Sequence, residues 1–152
     1  MDWGALFFSF SGRINRAKYW LASLLLILAF LLPVAVAYVI TLVAVDPDGV
    51  ALLAIVTVFI IFFIGVVVSG LAIAAKRLHD RDKSAWWLLL FYLVPGLLGG
   101  LGDATGDIGA IFHVIGFGIS IWALIELGFL RGTAGANRFG PDPLGTAVPQ
   151  AG

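Results

Sequence analysis

The chain has no cysteine. That excludes disulfides, thiolate zinc sites, iron–sulfur ligation and cysteine nucleophiles, and it leaves the compartment open. Charge is scarce as well. Only 12% of the 152 residues are Asp, Glu, Lys or Arg, against about 25% in a soluble domain. The formal net charge is zero, so no bulk field draws nucleic acid. Histidine occurs only at His79 and His113. His79, Asp80 and Asp82 cannot converge on one ion from a helix, and no second ligand-bearing segment faces them, so neither a metal nor a cofactor is expected. No G-x-S-x-G or Ser/His/Asp arrangement appears, which leaves hydrolase chemistry without support. The stretch "GGLGDATG" lacks the lysine and the preceding strand of a phosphate loop.

What remains is hydrophobic: 61% of the residues are apolar. Crossing a bilayer takes about 20 mostly apolar residues in a helix. Four segments meet or approach this, about 19–45, 50–75, 85–101 and 108–130. The third is short and broken by Pro95-Gly96, which makes it tilted, kinked or incompletely spanning. The first begins after basic residues and contains Ala35-Val36-Ala37, as a cleaved signal peptide would. Its apolar run continues past that point to Val45, so it is read as a retained helix. Pro33 should kink it. The pairs Gly65/Ser69 and Gly96/Gly100 are spaced for close helix packing, within the bundle or in a homo-oligomer.

The connections are brief: "DPDG" (46–49), "KRLHDRDKS" (76–84) and "GDATGD" (102–107). All nine basic residues fall on one side of a four-span chain: Arg13, Arg16, Lys18, Lys76, Arg77, Arg81, Lys83, Arg131 and Arg138. The other two links carry only Asp46, Asp48, Asp103 and Asp107. The positive-inside rule then puts both termini and the 76–84 link in the cytoplasm. The expected fold is all-α: an integral membrane bundle of four transmembrane helices over residues 1–143, with a disordered tail from 144 to 152. Before the first span, Trp3, Leu6, Phe7, Phe8 and Phe10 mark either a short interfacial segment or a loose start packed on the bundle. Ser11 is the expected N-cap of the helix entering span one.

Three pieces carry a resemblance. They are "FSFSGRINRAKYW" (Phe8 to Trp20), "KRLHDRDKSAWW" (Lys76 to Trp87) and "NRFGPDP" (Asn137 to Pro143). Together they resemble the bacterial inner-membrane proteins of domain of unknown function 805, the YhaH-like family. That pattern is F-x-G-R-x-x-R-x-x-Y/F-W, then R-R-L-H-D-x-x-x-S-G-W-W, then N-x-F-G-x-D-P. Lys76 stands where Arg is usual and Ala85 where Gly is usual. Lysine cannot make a planar bidentate contact, so position 76 is a poor anion clamp. The resemblance implies an integral inner-membrane protein with about four helices. It implies no activity.

The three motifs share the predicted cytoplasmic side. The expected cluster is Arg13, Arg16, Tyr19, Trp20, Arg77, His79, Asp80, Trp86, Trp87, Asn137 and Arg138. One reading is a structural staple, with Asp80 paired to Arg13 or Arg16 and the aromatics anchoring the interface. The other is a site for an anionic headgroup or phosphate, since juxtamembrane basic residues attract anionic lipid by about 1 kcal/mol each. Nine basic residues against Asp2, Asp80, Asp82 and Asp142 leave that face at +5. Glu126 is the one ionisable group inside a span besides His113. It either pairs with Arg131 or a basic residue of the 76–83 stretch, or it serves transport. The function expected is a non-enzymatic scaffold or accessory protein. Its partners would be the bilayer, anionic phospholipid, a membrane protein or a second copy. The alternative is a small transporter or channel using Glu126.

Overall fold

The computed structural model describes residues 2–43 and 49–145. The turn expected at Asp46 and Asp48, and the tail from residue 146, lie outside them. Among the described residues the elements are helical. They are α1 (Trp3–Phe8), α2 (Arg16–Val43), α3 (Val50–Asp80), α4 (Val94–Ala104) and α5 (Gly109–Leu124). A π-helical turn, Leu89–Leu93, leads into α4, and a second, Ile125–Phe129, ends α5.

Three helices are long and apolar enough to cross a membrane: Arg16–Ile40, Ile55–Asp80 and Gly106–Phe129. The short segment expected from Ala85 to Leu101 lies mostly in a shorter apolar helix, Leu89–Ala104. At 1.5 Å per residue it covers about 24 Å, short of the roughly 30 Å hydrocarbon core. Its π turn answers to Pro95. Proline has no N–H to give the preceding turn and its ring crowds that turn's carbonyls. Val94 N–H reaches back to Leu89 instead.

Two expectations are corrected. The N-cap of α2 is Asn15, whose Oδ1 accepts from Lys18 N–H at 2.9 Å. Ser11 lies in a bend four residues earlier, its own N–H bonded to Ser9 Oγ. The second correction concerns Lys76 to Asp80, expected in a polar link. They are the last turns of α3. Nothing in that stretch breaks a helix, and basic residues in a last turn suit the helix dipole. The stop comes at Asp82, which takes a left-handed φ of 55°. Asp82 N–H then bonds His79 O at 3.0 Å and Lys83 N–H bonds Leu78 O at 2.9 Å. This is a Schellman ending with aspartate in the usual glycine position.

The core sits at this end of the molecule. Ala72 through Asp80 are all buried, nine residues in a row. A helix buried on every side lies at the centre of its bundle. Ala74, Ala75 and Leu78 pack with Leu88, Phe91, Ala123 and Leu127. On the opposite flank Ile73 packs with Leu6, Ile14 and Ala22. Away from this end the helices pair as α2 with α3 and α4 with α5. The turn Ile125–Phe129 touches both α2 and α3 and joins the two pairs. Gly96 and Gly100, expected at a helix contact, have open space where a Cβ would point. The close approach of α4 to α5 runs through Gly102 and Gly109.

Candidate functional site

The basic end is built on the carboxylate of Asp80. Arg13 donates to Oδ1 through Nε at 3.2 Å and Nη2 at 3.1 Å. Arg77, one turn earlier on α3, donates to Oδ2. All three side chains are nearly inaccessible, at 1% for Arg13, 0% for Arg77 and 3% for Asp80. A buried charge of this kind persists only when it is paired and its other donors are filled. They are filled here. Arg13 also donates to the carbonyls of Gly135 and Thr133 at 2.7 Å and of Gly140 at 3.2 Å. Arg77 Nε reaches Leu127 O at 2.8 Å, and its Nη2 reaches Leu130 O.

Those last contacts belong to a series. A helix end leaves its final carbonyls without intrahelical partners. Here five consecutive ones, Leu127 to Arg131, accept from side chains of α2 and α3 or the residue just after. Arg77 takes Leu127, Trp20 Nε1 takes Gly128 at 2.9 Å and Arg16 Nη1 takes Phe129 at 3.4 Å. Arg77 then takes Leu130 and Arg81 takes Arg131. Cations at the negative end of α5 also meet its dipole favourably. Trp20 closes the layer by an edge contact with Phe129 at 5.7 Å and another with Tyr19.

Glu126 is buried within the second π turn and accepts from Arg81 Nε at 3.0 Å and Lys83 Nζ at 2.9 Å. Arg131 contributes only its carbonyl to that group. Lys83 lies 4.5 Å over the ring of Trp87, which packs edge-on to Trp122. Lys76 turns the other way, to the carbonyls of Ala5 and Leu6 at the end of α1. That contact fixes the N-terminal segment to α3.

The C-terminal segment is tied to the same frame. Thr133 N–H and Oγ1 both donate to Asp80 O, at 2.8 and 3.0 Å. Asn137 Nδ2 donates to His79 O at 2.8 Å and to Thr133 Oγ1 at 2.9 Å. Asn137 and Gly140 exchange backbone hydrogen bonds around the turn. That turn stacks Phe139 on His79, rings 4.0 Å apart and nearly parallel, with Arg138 over the outer face of Phe139. His79 Nδ1 faces Gly12 O at 3.1 Å. Arg138 pairs at the surface with Asp82 at 3.2 Å. Asp142 accepts from the N–H groups of Leu144 and Gly135, both at 2.9 Å, and these hold its carboxyl below the usual aspartate value.

The structure gathers the expected cluster at the basic end apart from its two later tryptophans; Trp86 is 76% exposed and lines a separate groove with Phe10 and Leu93. Trp87 sits with the Glu126 group rather than with Asp80. Sequence reasoning missed Thr133, Gly132 and the carbonyls at 127–131. A Cβ on Gly132 would fall on the Asp80 carboxylate, so only glycine passes there. Among the described residues no group of three His, Asp or Glu side chains could hold a metal.

The family described as "Protein of unknown function (DUF805)" matches residues 7–141. Inner membrane protein YhaI of Escherichia coli (strain K12) is 30% identical over 136 residues, covering 88% of this chain and 85% of that protein. Inner membrane protein YhaH of the same organism is 40% identical over 72 residues, 47% of this chain. The match spans 40% of the length of YhaH. Uncharacterized protein YiiR, also from strain K12, is 34% identical over 73 residues, 47% of this chain and 50% of that protein. No solved structure matches the chain.

Proposed function

We propose, from the premise that this chain belongs to the DUF805 family, that it is a non-enzymatic scaffold of the bacterial inner membrane. In this reading four helical segments cross, both termini are cytoplasmic, and the basic end presents an anionic-lipid-binding face. The shorter segment Leu89–Ala104 crosses with local thinning of the bilayer, at a cost of a fraction of a kcal/mol per Å. The relatives YhaH and YhaI are named inner membrane proteins, which supports that location.

One observation carries the reading. The basic end spends its buried polar groups on its own backbone. Arg13, Arg77, Thr133 and Asn137 each hold main-chain carbonyls from distant segments. Such saturation favours a rigid frame over a reacting site, which needs a group with unspent capacity aimed at a substrate. The alternative, a transporter using Glu126, has to free a carboxylate already held by Arg81 and Lys83.

Two measurements test the proposal. Reporter fusions at Asp48 and Gly152 should report opposite sides of the membrane; the same side for both contradicts four spans. Gentle extraction with native lipid, followed by mass spectrometry, should show anionic phospholipid enriched over its bulk fraction. Lipid at bulk composition contradicts the lipid-binding face.

A further inference from the structure

We propose that the cleft between the start of α2 and the segment following α5 binds a phosphate oxyanion, held by Arg16 and Arg131. The proposal builds on the lipid-facing reading above and moves its ligand away from the Arg13–Asp80–Arg77 group. That group has nothing left to give. Arg13 and Arg77 are inaccessible, and every nitrogen of each guanidinium already donates within the protein. Lys76 is spent on α1, Arg81 and Lys83 on Glu126, and Arg138 on Asp82.

Arg16 and Arg131 differ. Both are exposed. Arg16 makes one long contact, 3.4 Å to Phe129 O. The Arg131 guanidinium has no partner among the described residues. The two line one cleft of about 330 Å³, together with Asn15, Gly132, Thr133 and Asp142. Small-molecule sites begin at about 300 Å³. Two arginines line it, Arg16 and Arg131, and two more, Arg13 and Arg77, lie behind its wall on Asp80, against two carboxylates, Asp80 and Asp142. Asp80 is matched by two guanidiniums, and Asp142 is engaged by backbone N–H groups. The cleft therefore has a local excess of positive charge. Arg16 also opens α2, whose positive dipole end adds to it.

Depth supports the ligand class. One candidate span begins at Arg16 and another ends at Phe129, two residues before Arg131. The cleft therefore sits at the edge of the apolar region, where lipid phosphates lie. Trp20, one turn into α2 and 43% exposed, is placed as interfacial tryptophans are. Guanidinium forks suit phosphate oxygens better than ammonium groups do. A lipid headgroup and a free phosphate share this chemistry.

The test uses the full chain in detergent micelles. One arm measures retained phosphatidylglycerol against phosphatidylcholine by native mass spectrometry. The other titrates inorganic phosphate and follows the arginine side-chain N–H resonances. Each arm compares the parent protein with R16Q/R131Q, R16K/R131K and the rim control R138Q. We expect R16Q/R131Q to lose phosphatidylglycerol retention by about tenfold and to keep its thermal midpoint, since neither side chain is buried. The lysine pair should fall between, and R138Q should stay within about twofold. An Arg16- and Arg131-dependent response to inorganic phosphate alone would keep the site, make its ligand soluble and defeat the lipid-facing reading. If phosphatidylglycerol preference survives in R16Q/R131Q, or falls equally in R138Q, the cleft is not the site, while the lipid-facing reading stands. If neither ligand binds the parent protein preferentially, both ideas fail.

Discussion

At the basic end α3 is buried for nine residues running, and its last carboxylate is held by two arginines that also grip five backbone carbonyls between Leu127 and Gly140. At the other end, among the described residues, the junction of α4 and α5 carries the Thr105 hydroxyl bonded to the Leu101 and Gly102 carbonyls and one contact between side chains. His113 Nε2 lies 3.3 Å from Asp103 Oδ1, and both side chains are exposed, at 51% and 81%. Between the two ends the apolar window of α2 has none of its residues buried. The difference follows from the solvent. Lipid tails are as apolar as leucine, so an apolar helix gains little by leaving them for another helix. Polar groups gain a great deal by finding each other. The helices are therefore specified where the polar residues are, and at the far end α4 and α5 rest mainly on small-residue packing at Gly102 and Gly109.

That contrast can be pressed from several directions. The largest effect is expected from Arg77→Ala. It strips Asp80 of one partner and leaves the Leu127 and Leu130 carbonyls unsatisfied, which should cost about 3–5 kcal/mol in unfolding by SDS titration. A loss under about 1 kcal/mol would mean the buried group is not what holds the end together. Glu126→Gln comes next. Arg81 and Lys83 are each about a quarter exposed, so water compensates in part and the cost should be about 1–3 kcal/mol. The same variant should keep its bound lipid; loss of ion or solute flux from proteoliposomes would favour the transporter reading instead. Asn15→Ala removes the cap on α2 and should cost about 1 kcal/mol.

The smallest effect is a pH dependence in the C-terminal turn. The Asp142 carboxyl is held below its ordinary value by the N–H groups of Leu144 and Gly135. A depressed carboxylate lends stability that is present above its unfolded value and lost as pH falls through the folded one. The amide resonances of Gly135 and Leu144 should therefore hold their positions on mild acidification. They should shift only below the ordinary aspartate range, and Asp142→Asn should abolish that shift. Movement of both amides at or above that range would contradict the hydrogen bonding.

Much of this contrast was legible in residue order. The apolar runs mark the helices, and the placement of all nine basic residues in alternate connections marks one end as different. The recurrence of arginine, Leu-His-Asp and Asn-Arg-Phe-Gly motifs, each at that end, pointed to their meeting. Two things could not be read. Where α3 stops depends on Asp82 adopting a left-handed φ, a conformation most residues avoid and aspartate tolerates. Residues Lys76 to Asp80 therefore look like a loop by charge and are a helix by backbone. The partners of the arginines are the other gap. They are mostly main-chain carbonyls at 127, 129–131, 133, 135 and 140, and every residue type has one. Glu126 was visible as an anomaly, and its pairing with the basic stretch 76–83, one of the options in the sequence, is the one the structure shows, through Arg81 and Lys83 folding back across the end of α5.

Parallel SDS titration of Asp80→Asn and Asp103→Asn in the same bicelles tests the contrast most directly. Asp80→Asn should lower unfolding free energy by about 3–5 kcal/mol, and Asp103→Asn by less than about 1 kcal/mol. Equal losses, or a larger loss at Asp103, would show that the basic end does not organise the fold.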